Sequence, residues 1–134
     1  FFCKNFVRFV CHTRLVLLNQ LSTVIKGKQA EEIAAKYLAD RGYIILQKNI
    51  YAPFGEIDIL ARKNGEYICV EVRSRDSRNC LPPELTITPV KYSRLVKSIL
   101  SLNFLHNKPI RIDVITVQKK RVRRHFKNVD FPAG

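Results

Sequence analysis

Glu56 and Asp58 stand in Gly55-Glu56-Ile57-Asp58-Ile59-Leu60, and Glu71 and Arg73 stand in Tyr67-Ile68-Cys69-Val70-Glu71-Val72-Arg73. Each segment is an apolar run interrupted by charge, the pattern of a strand. Side chains alternate across a strand, so Glu71 and Arg73 point one way while Ile68, Val70 and Val72 point into a core. By the same rule Glu56 and Asp58 share a face, with Ile57 and Ile59 opposite. Paired as a hairpin, the two strands can converge Asp58, Glu71 and a positive charge. Convergent hard carboxylates suit Mg2+ or Mn2+, and a neighbouring cation suits a phosphate. The plainer alternative is a pair of edge strands with a solvated charged face, on which Glu71 and Arg73 form a surface ion pair.

Elements must hold these residues in place. Ala30, Ile33, Ala34, Tyr37 and Leu38 recur at helical spacing and predict a helix over 27–41, with Gly42 as its stop. Glu31 stands at the edge of that apolar stripe, where it either reaches into the domain or is solvated; Glu32 faces water. Tyr43–Tyr51 reads as a first strand, Pro53-Phe54-Gly55 as a turn, and 56–61 and 66–73 as two further strands. Lys63-Asn64-Gly65 joins the last two, because Asn and Gly tolerate the positive φ of a tight hairpin. The polar, Pro-containing stretch 74–83 is a loop carrying Arg75, Asp76 and Arg78. Thr88 is a candidate N-cap and Pro89 suits the first position of a helix running to about Leu105. Tyr92, Leu95, Val96, Ile99 and Leu102 form its apolar stripe, and Lys91, Arg94 and Lys97 a basic edge. Arg111–Val117 reads as a fourth strand. The order α-β-β-β-α-β predicts an α/β fold in which helices flank a mixed sheet.

Lys and Arg number 24 against 11 acids in 134 residues, a formal net charge of +13. That excess favours a polyanionic partner, nucleic acid or an anionic membrane surface. It is densest in Lys119, Lys120, Arg121, Arg123, Arg124 and Lys127, read here as a phosphate-contacting tail in preference to a merely solvated strand end. Cys3, Cys11, Cys69 and Cys80 form no C-x-x-C pair and have no histidine at ligand spacing, so no zinc site is expected. Reduced thiols and a cytoplasmic location are the expectation. Residues 1–26 form a basic, apolar extension outside the core fold, and the domain spans 27–131. A membrane-surface role for that extension is the weakest of the functional readings. His12, His106 and His125 read as isolated, and Asp113 as an edge-strand charge beside Arg111.

Several of these segments together resemble the YraN family of small bacterial endonuclease-like proteins. They are Gly55-Glu56-Ile57-Asp58-Ile59, Val70-Glu71-Val72-Arg73-Ser74-Arg75, Glu31-x-x-Ala34-x-x-Tyr37-Leu38, Gly42-Tyr43 with Asn49, Thr88-Pro89-x-Lys91, Arg111-Ile112-Asp113-Val114 and the segment from His125 to Phe131. The resemblance covers about residues 27–131. The family is similar to the PD-(D/E)XK nucleases, a superfamily that includes restriction enzymes and Holliday-junction resolvases. The resemblance therefore implies a restriction-endonuclease-like core and a metal-dependent phosphodiesterase acting on DNA, branched or damaged DNA among its substrates. It implies that Asp58 and Glu71 ligate Mg2+ or Mn2+, that the Val72 carbonyl adds a ligand, and that Glu31 supports the metal. Glu56 would stand behind these residues or hold the turn. Arg75, Lys91, Arg94, Lys119, Lys120, Arg121, Arg123 and Arg124 would contact nucleic acid. No small-molecule cofactor is implied. A homodimer is compatible with it, since many nucleases of this fold pair to cut two strands. The chain departs from the superfamily at Arg73, where a lysine is usual. Arginine is always charged and cannot act as a base, but it can hold phosphate in a fork. The alternative is thus a non-catalytic nucleic-acid-binding module on a nuclease fold.

Overall fold

The structure, a computed structural model, describes residues 27–75 and 87–130. Helix α1 is described over 27–39. It is followed by β1 (Ile44–Ala52), β2 (Gly55–Lys63), β3 (Glu66–Arg75), α2 (Pro89–Leu100), a 3-10 turn (Asn103–Leu105), β4 (Ile110–Gln118) and β5 (Arg121–Phe126). The five strands lie in the order β1-β2-β3-β4-β5. β3 and β4 are parallel, connected through α2, and every other pair is antiparallel. The sheet is therefore mixed, with helices packed on both faces, as the α/β expectation requires.

Local chemistry accounts for the boundaries. α1 ends in a Schellman motif: Gly42 takes φ 84°, its N–H donates to Ala39 O, and Tyr43 N–H donates to Leu38 O. This ends the helix two residues earlier than the apolar stripe predicts. Asn64 (φ 53°) and Gly65 (φ 77°) make the tight β2–β3 turn foreseen from their types. Thr88 caps α2, its Oγ1 accepting from Lys91 N–H at 3.2 Å, with Pro89 in the first turn. α2 stops at Leu100, and the remainder of the longer helix expected to Leu105 is the 3-10 turn.

The core is split by the sheet. Against α1 lie Ala34, Leu38, Ile59, Ile68, Val70, Ile115 and Val117; against α2 lie Ile57, Leu60, Cys69, Leu95, Ile99, Ile112 and Val114. The central strands β3 and β4 are covered on both faces, the usual situation of parallel strands. Cys69 is a fully buried free thiol, and burial, with the charge of Asp113, pushes it up to about 12. It packs as a small hydrophobe.

Three expectations need correction. The basic tail contains a fifth strand, β5, paired to β4 through a turn in which Lys119 (φ 51°) and Lys120 (φ 59°) both occupy the left-handed region. Lysine is not a residue that signals such a turn, so nothing in the types marked it. Asp113 is not an edge charge: it lies in β4, between β3 and β5, and is 0 % exposed. Nor is His125 isolated, since its Nε2 lies 2.7 Å from Asp113 Oδ2. Arg111 adds a fork to the same carboxylate (Nε to Oδ1 3.0 Å, Nη2 to Oδ2 3.2 Å), and Asn128 N–H donates to Oδ1 at 3.0 Å. Burial alone would raise Asp113, but the hydrogen bonds from His125, Arg111 and Asn128 hold it below the usual carboxylate range. A buried charge so fully partnered ties β4, β5 and the closing segment together.

Residues 1–26, Arg78 and Asp76 in the 74–83 loop, and Phe131 lie outside the described residues, so the expectations placed on them are not addressed by the fold. Among the described residues no helix is long and apolar enough to cross a membrane.

Candidate active site

The β2–β3 ladder runs from Lys63↔Glu66 to Ile59↔Val70, whereas the β1–β2 ladder continues to Ala52↔Gly55. Beyond Ile59, β2 thus stays with β1 rather than β3. The Asp58 carboxylate fills the gap, its Oδ2 accepting from Val72 N–H at 2.8 Å. Its β1 neighbour Asn49 takes φ 53°, a conformation asparagine tolerates better than most residues. Strict alternation fails here. Ile57 packs in the α2 core and Ile59 in the α1 core, so the shared face expected for Glu56 and Asp58 does not form. The irregularity directs Asp58 toward β3.

Glu71 is 2 % exposed, on the α2 side of β3. Two cations reach it: Lys91 Nζ at 2.5 Å and Arg73 Nε at 3.6 Å, both from Oε1. Burial first, and the negative charge of Glu71 second, push Asp58 up to about 8; Glu31 adds to the rise, while the Val72 N–H and Lys91 oppose it. Glu31 is itself raised, by burial and then by Glu56. With its amide oriented to donate, Asn49 lies 2.8 Å from both Glu31 Oε2 and Glu56 Oε1 and bridges them. Three elements therefore bring acids to one place: Glu31 from α1, Asp58 from β2 and Glu71 from β3. Glu56 joins through Asn49. Glu32 is exposed and paired with Lys48, away from this group.

The basic residues divide. Lys91 belongs with the acids, not on an outer basic edge: one turn into α2, its ammonium reaches back to Glu71. Arg94 is exposed on α2, and Lys119, Lys120, Arg121, Arg123 and Arg124 are exposed on the β4–β5 hairpin. Arg75 pairs with Gln118 through the backbone, and its side chain is outside the described part. Sequence reasoning missed the bridging role of Asn49 and the inward reach of Lys91. A signal existed for Asn49, since an asparagine inside a strand is a candidate for positive φ. None existed for Lys91, whose contact depends on how α2 seats on the sheet.

Among the described residues no three His, Cys, Asp or Glu side chains form a ready ligand cage. Asp58 and Glu71 are two carboxyls in a poorly solvated place, near enough for the charge of Glu71 to raise Asp58.

The family described as "Uncharacterised protein family UPF0102" matches residues 30–117, a stretch that contains Glu31, Glu56, Asp58 and Glu71. The chain belongs to the UPF0102 family. This is the YraN family of the resemblance. A UPF0102 protein of Pelobacter propionicus is 40 % identical over 104 residues, covering 74 % of each chain. Another, from Thermodesulfovibrio yellowstonii, is 38 % identical over 107 residues, 78 % of this chain and 95 % of its own. A third, from Wolinella succinogenes, is 52 % identical over 73 residues, 54 % of this chain and 65 % of its own. The similarity to UPF0102 relatives thus spans the elements that carry Asp58, Glu71 and Lys91.

Proposed function

We propose that this UPF0102 protein is a metal-dependent nuclease that hydrolyses phosphodiester bonds in nucleic acid, DNA being the favoured substrate. The observation that carries the reading is that Asp58 reaches β3 where β2 and β3 separate and feels the charge of the buried Glu71, with Lys91 and Arg73 on the Glu71 carboxylate. Acids held this close are costly unless a cation shares them, and a cation there would face a phosphate.

Asp58 and Glu71 would hold Mg2+ or Mn2+, with the Val72 carbonyl as a further donor. So small a protein donor set leaves positions for water and substrate oxygens, the arrangement Mg2+ prefers. Bound there, the metal supplies an acidified water and neutralises charge on the phosphate. The Val72 N–H fixes the Asp58 carboxylate in orientation. Glu31 sets the negative potential behind Asp58, and Asn49 keeps Glu31 and Glu56 from drifting apart. Arg73 is suited to grip a phosphate oxygen by its fork. Lys91 brings from α2 the compact ammonium that a nuclease of this kind carries on β3, and we assign to it the charge beside the reacting phosphate.

A cleavage assay with Mg2+ and Mn2+ on single-stranded, duplex and four-way-junction DNA tests this. Metal-dependent cutting by the wild type is expected to fall by about a hundredfold or more in Asp58→Ala and in Lys91→Ala, the size of effect seen when one charge-stabilising group is removed. Cutting that persists unchanged in Asp58→Ala would move the chemistry elsewhere. Arg73 in place of the usual lysine specifically favours a second reading, a binding module without turnover. It predicts binding that survives Glu71→Ala and no cutting with any divalent metal.

A further inference from the structure

The basic hairpin β4–β5 is irregular at a telling place. Thr116 pairs with Arg124, yet the next residue, Val117, pairs with Val122, so Arg123 is passed over as a bulge. A bulge shifts alternation by one residue. Unbroken alternation would group Arg121, Arg123 and His125 on one face. Instead Val122 packs on the α1 side and His125 meets Tyr37 and Tyr43 there, while Phe126 packs in the α2 core. Arg124 and Arg121 therefore share the α2 face, as the partners of Thr116 and Gln118.

That is the face of Glu71. The β3–β4 register extends the rows: Glu71–Val114–Phe126, then Arg73–Thr116–Arg124, with Gln118–Arg121 one row beyond. Arg124 thus stands two strands from Arg73 in the same row, about 10 Å at roughly 4.8 Å per strand. Arg121 stands about 7 Å further along the strand direction. Both are exposed.

We infer that the phosphodiester backbone of the nucleic acid crosses the α2 face of β3, β4 and β5, from the acids to the sheet edge, with Arg124 and Arg121 binding its phosphates. The inference rests on the nuclease reading for what lies at the acid end, and adds the path of the strand. It assigns phosphates to Arg124 and Arg121, whose partners in β4 fix their face.

The test is equilibrium binding of labelled duplex and single-stranded DNA to the full chain over a range of salt, without divalent metal. Each phosphate contact steepens the salt dependence by about 0.9 in log K against log salt for duplex. The Arg121→Ala/Arg124→Ala pair is expected to flatten the slope by about 1.8 and weaken binding at least several-fold. Lys36→Ala, a charge removed from the exposed side of α1, is expected to leave the preference for this path untouched and cost no more than general attraction does. Equal losses in Lys36→Ala and Arg124→Ala would overturn the path and leave only general attraction to a basic protein. A wild type that cuts DNA through Asp58 while ignoring Arg121 and Arg124 would overturn the path alone. Face-dependent binding without cutting would uphold the path and remove the catalytic reading.

Discussion

Asp58 concentrates the conflict at the scale of single residues. Its carboxyl sits where water is scarce, beside the buried Glu71, and its ordinary value of 3.8 rises to about 8. A folded-state value above the unfolded one means that the folded chain holds the proton more tightly. The resulting stability is fully present below about pH 4 and is lost as pH rises toward 8. Metal-free protein is therefore expected to become less stable to urea across that range, and Asp58→Asn to flatten this part of the profile and stabilise the protein at pH 8. A profile in Asp58→Asn that follows the wild type would show that Asp58 is ionised at ordinary cost. Asp113 has the opposite sense. Its hydrogen bonds hold it low, so its contribution is present above its unfolded value and is lost only as pH falls through the folded one. Two buried aspartates in one sheet are thus shifted in opposite directions, because burial and then a neighbouring acid act on Asp58 against one backbone donor, whereas three sets of donors outweigh burial at Asp113.

At the scale of elements, the site depends on the seating of α2. Its first turn is set by Thr88, whose Oγ1 accepts from the N–H of Lys91, the residue whose ammonium reaches Glu71. Ser98 Oγ donates to Gly55 O at 3.4 Å, tying the far half of the helix to the start of β2. Thr88→Ala is expected to cost about 1 kcal/mol of stability, the usual worth of such a cap. Fraying would also loosen the Lys91 contact, so cleavage should drop more than the small stability loss implies, with Thr88→Ser recovering both. Denaturation and rate measured on the three proteins decide it; a stability loss with an unchanged rate would separate the cap from the site. The separation of β2 from β3 past Ile59 is equally an element-scale device. A fully zipped hairpin would satisfy Val72 N–H with backbone and leave Asp58 no reason to turn toward β3.

At the scale of the whole molecule, the charge of +13 sets the reach of the field. The acids of the site are enclosed by Lys91 and Arg73, while exposed bases lie along the β4–β5 hairpin and on α2. A protein so charged is expected to associate quickly with polyanions and to lose affinity steeply with salt. With six or more phosphate contacts, DNA affinity should fall by about a thousandfold between 50 and 200 mM salt. Heparin should compete. A shallow salt dependence in a filter-binding or anisotropy titration would mean that the positive charge is not spent on phosphates.

Much of the architecture was legible in the residues themselves. The stripe of α1, the Asn64-Gly65 turn, the Thr88-Pro89 start of α2 and the apolar runs of β2, β3 and β4 are local signals, because helical and strand periods and turn preferences act within a few residues. Two such strands joined by a short turn predict that Asp58 and Glu71 converge, but it is the separation of β2 from β3 past Ile59 that turns Asp58 toward β3. What escaped was every feature decided by a distant partner. Asn49 takes a left-handed φ opposite the point where Ile57 and Ile59 enter different cores; Lys91 reaches Glu71 only because α2 lies across the sheet; Asp113 needs Arg111 and His125 to be buried as a charge. The bulge at Arg123, which brings Arg121 and Arg124 onto one face, is set by the β4 register. Spacing along the chain determines which residues can share a face. Only packing and hydrogen-bond pairing across strands decide where that alternation breaks, because a break costs little locally and is repaid by contacts far away in sequence.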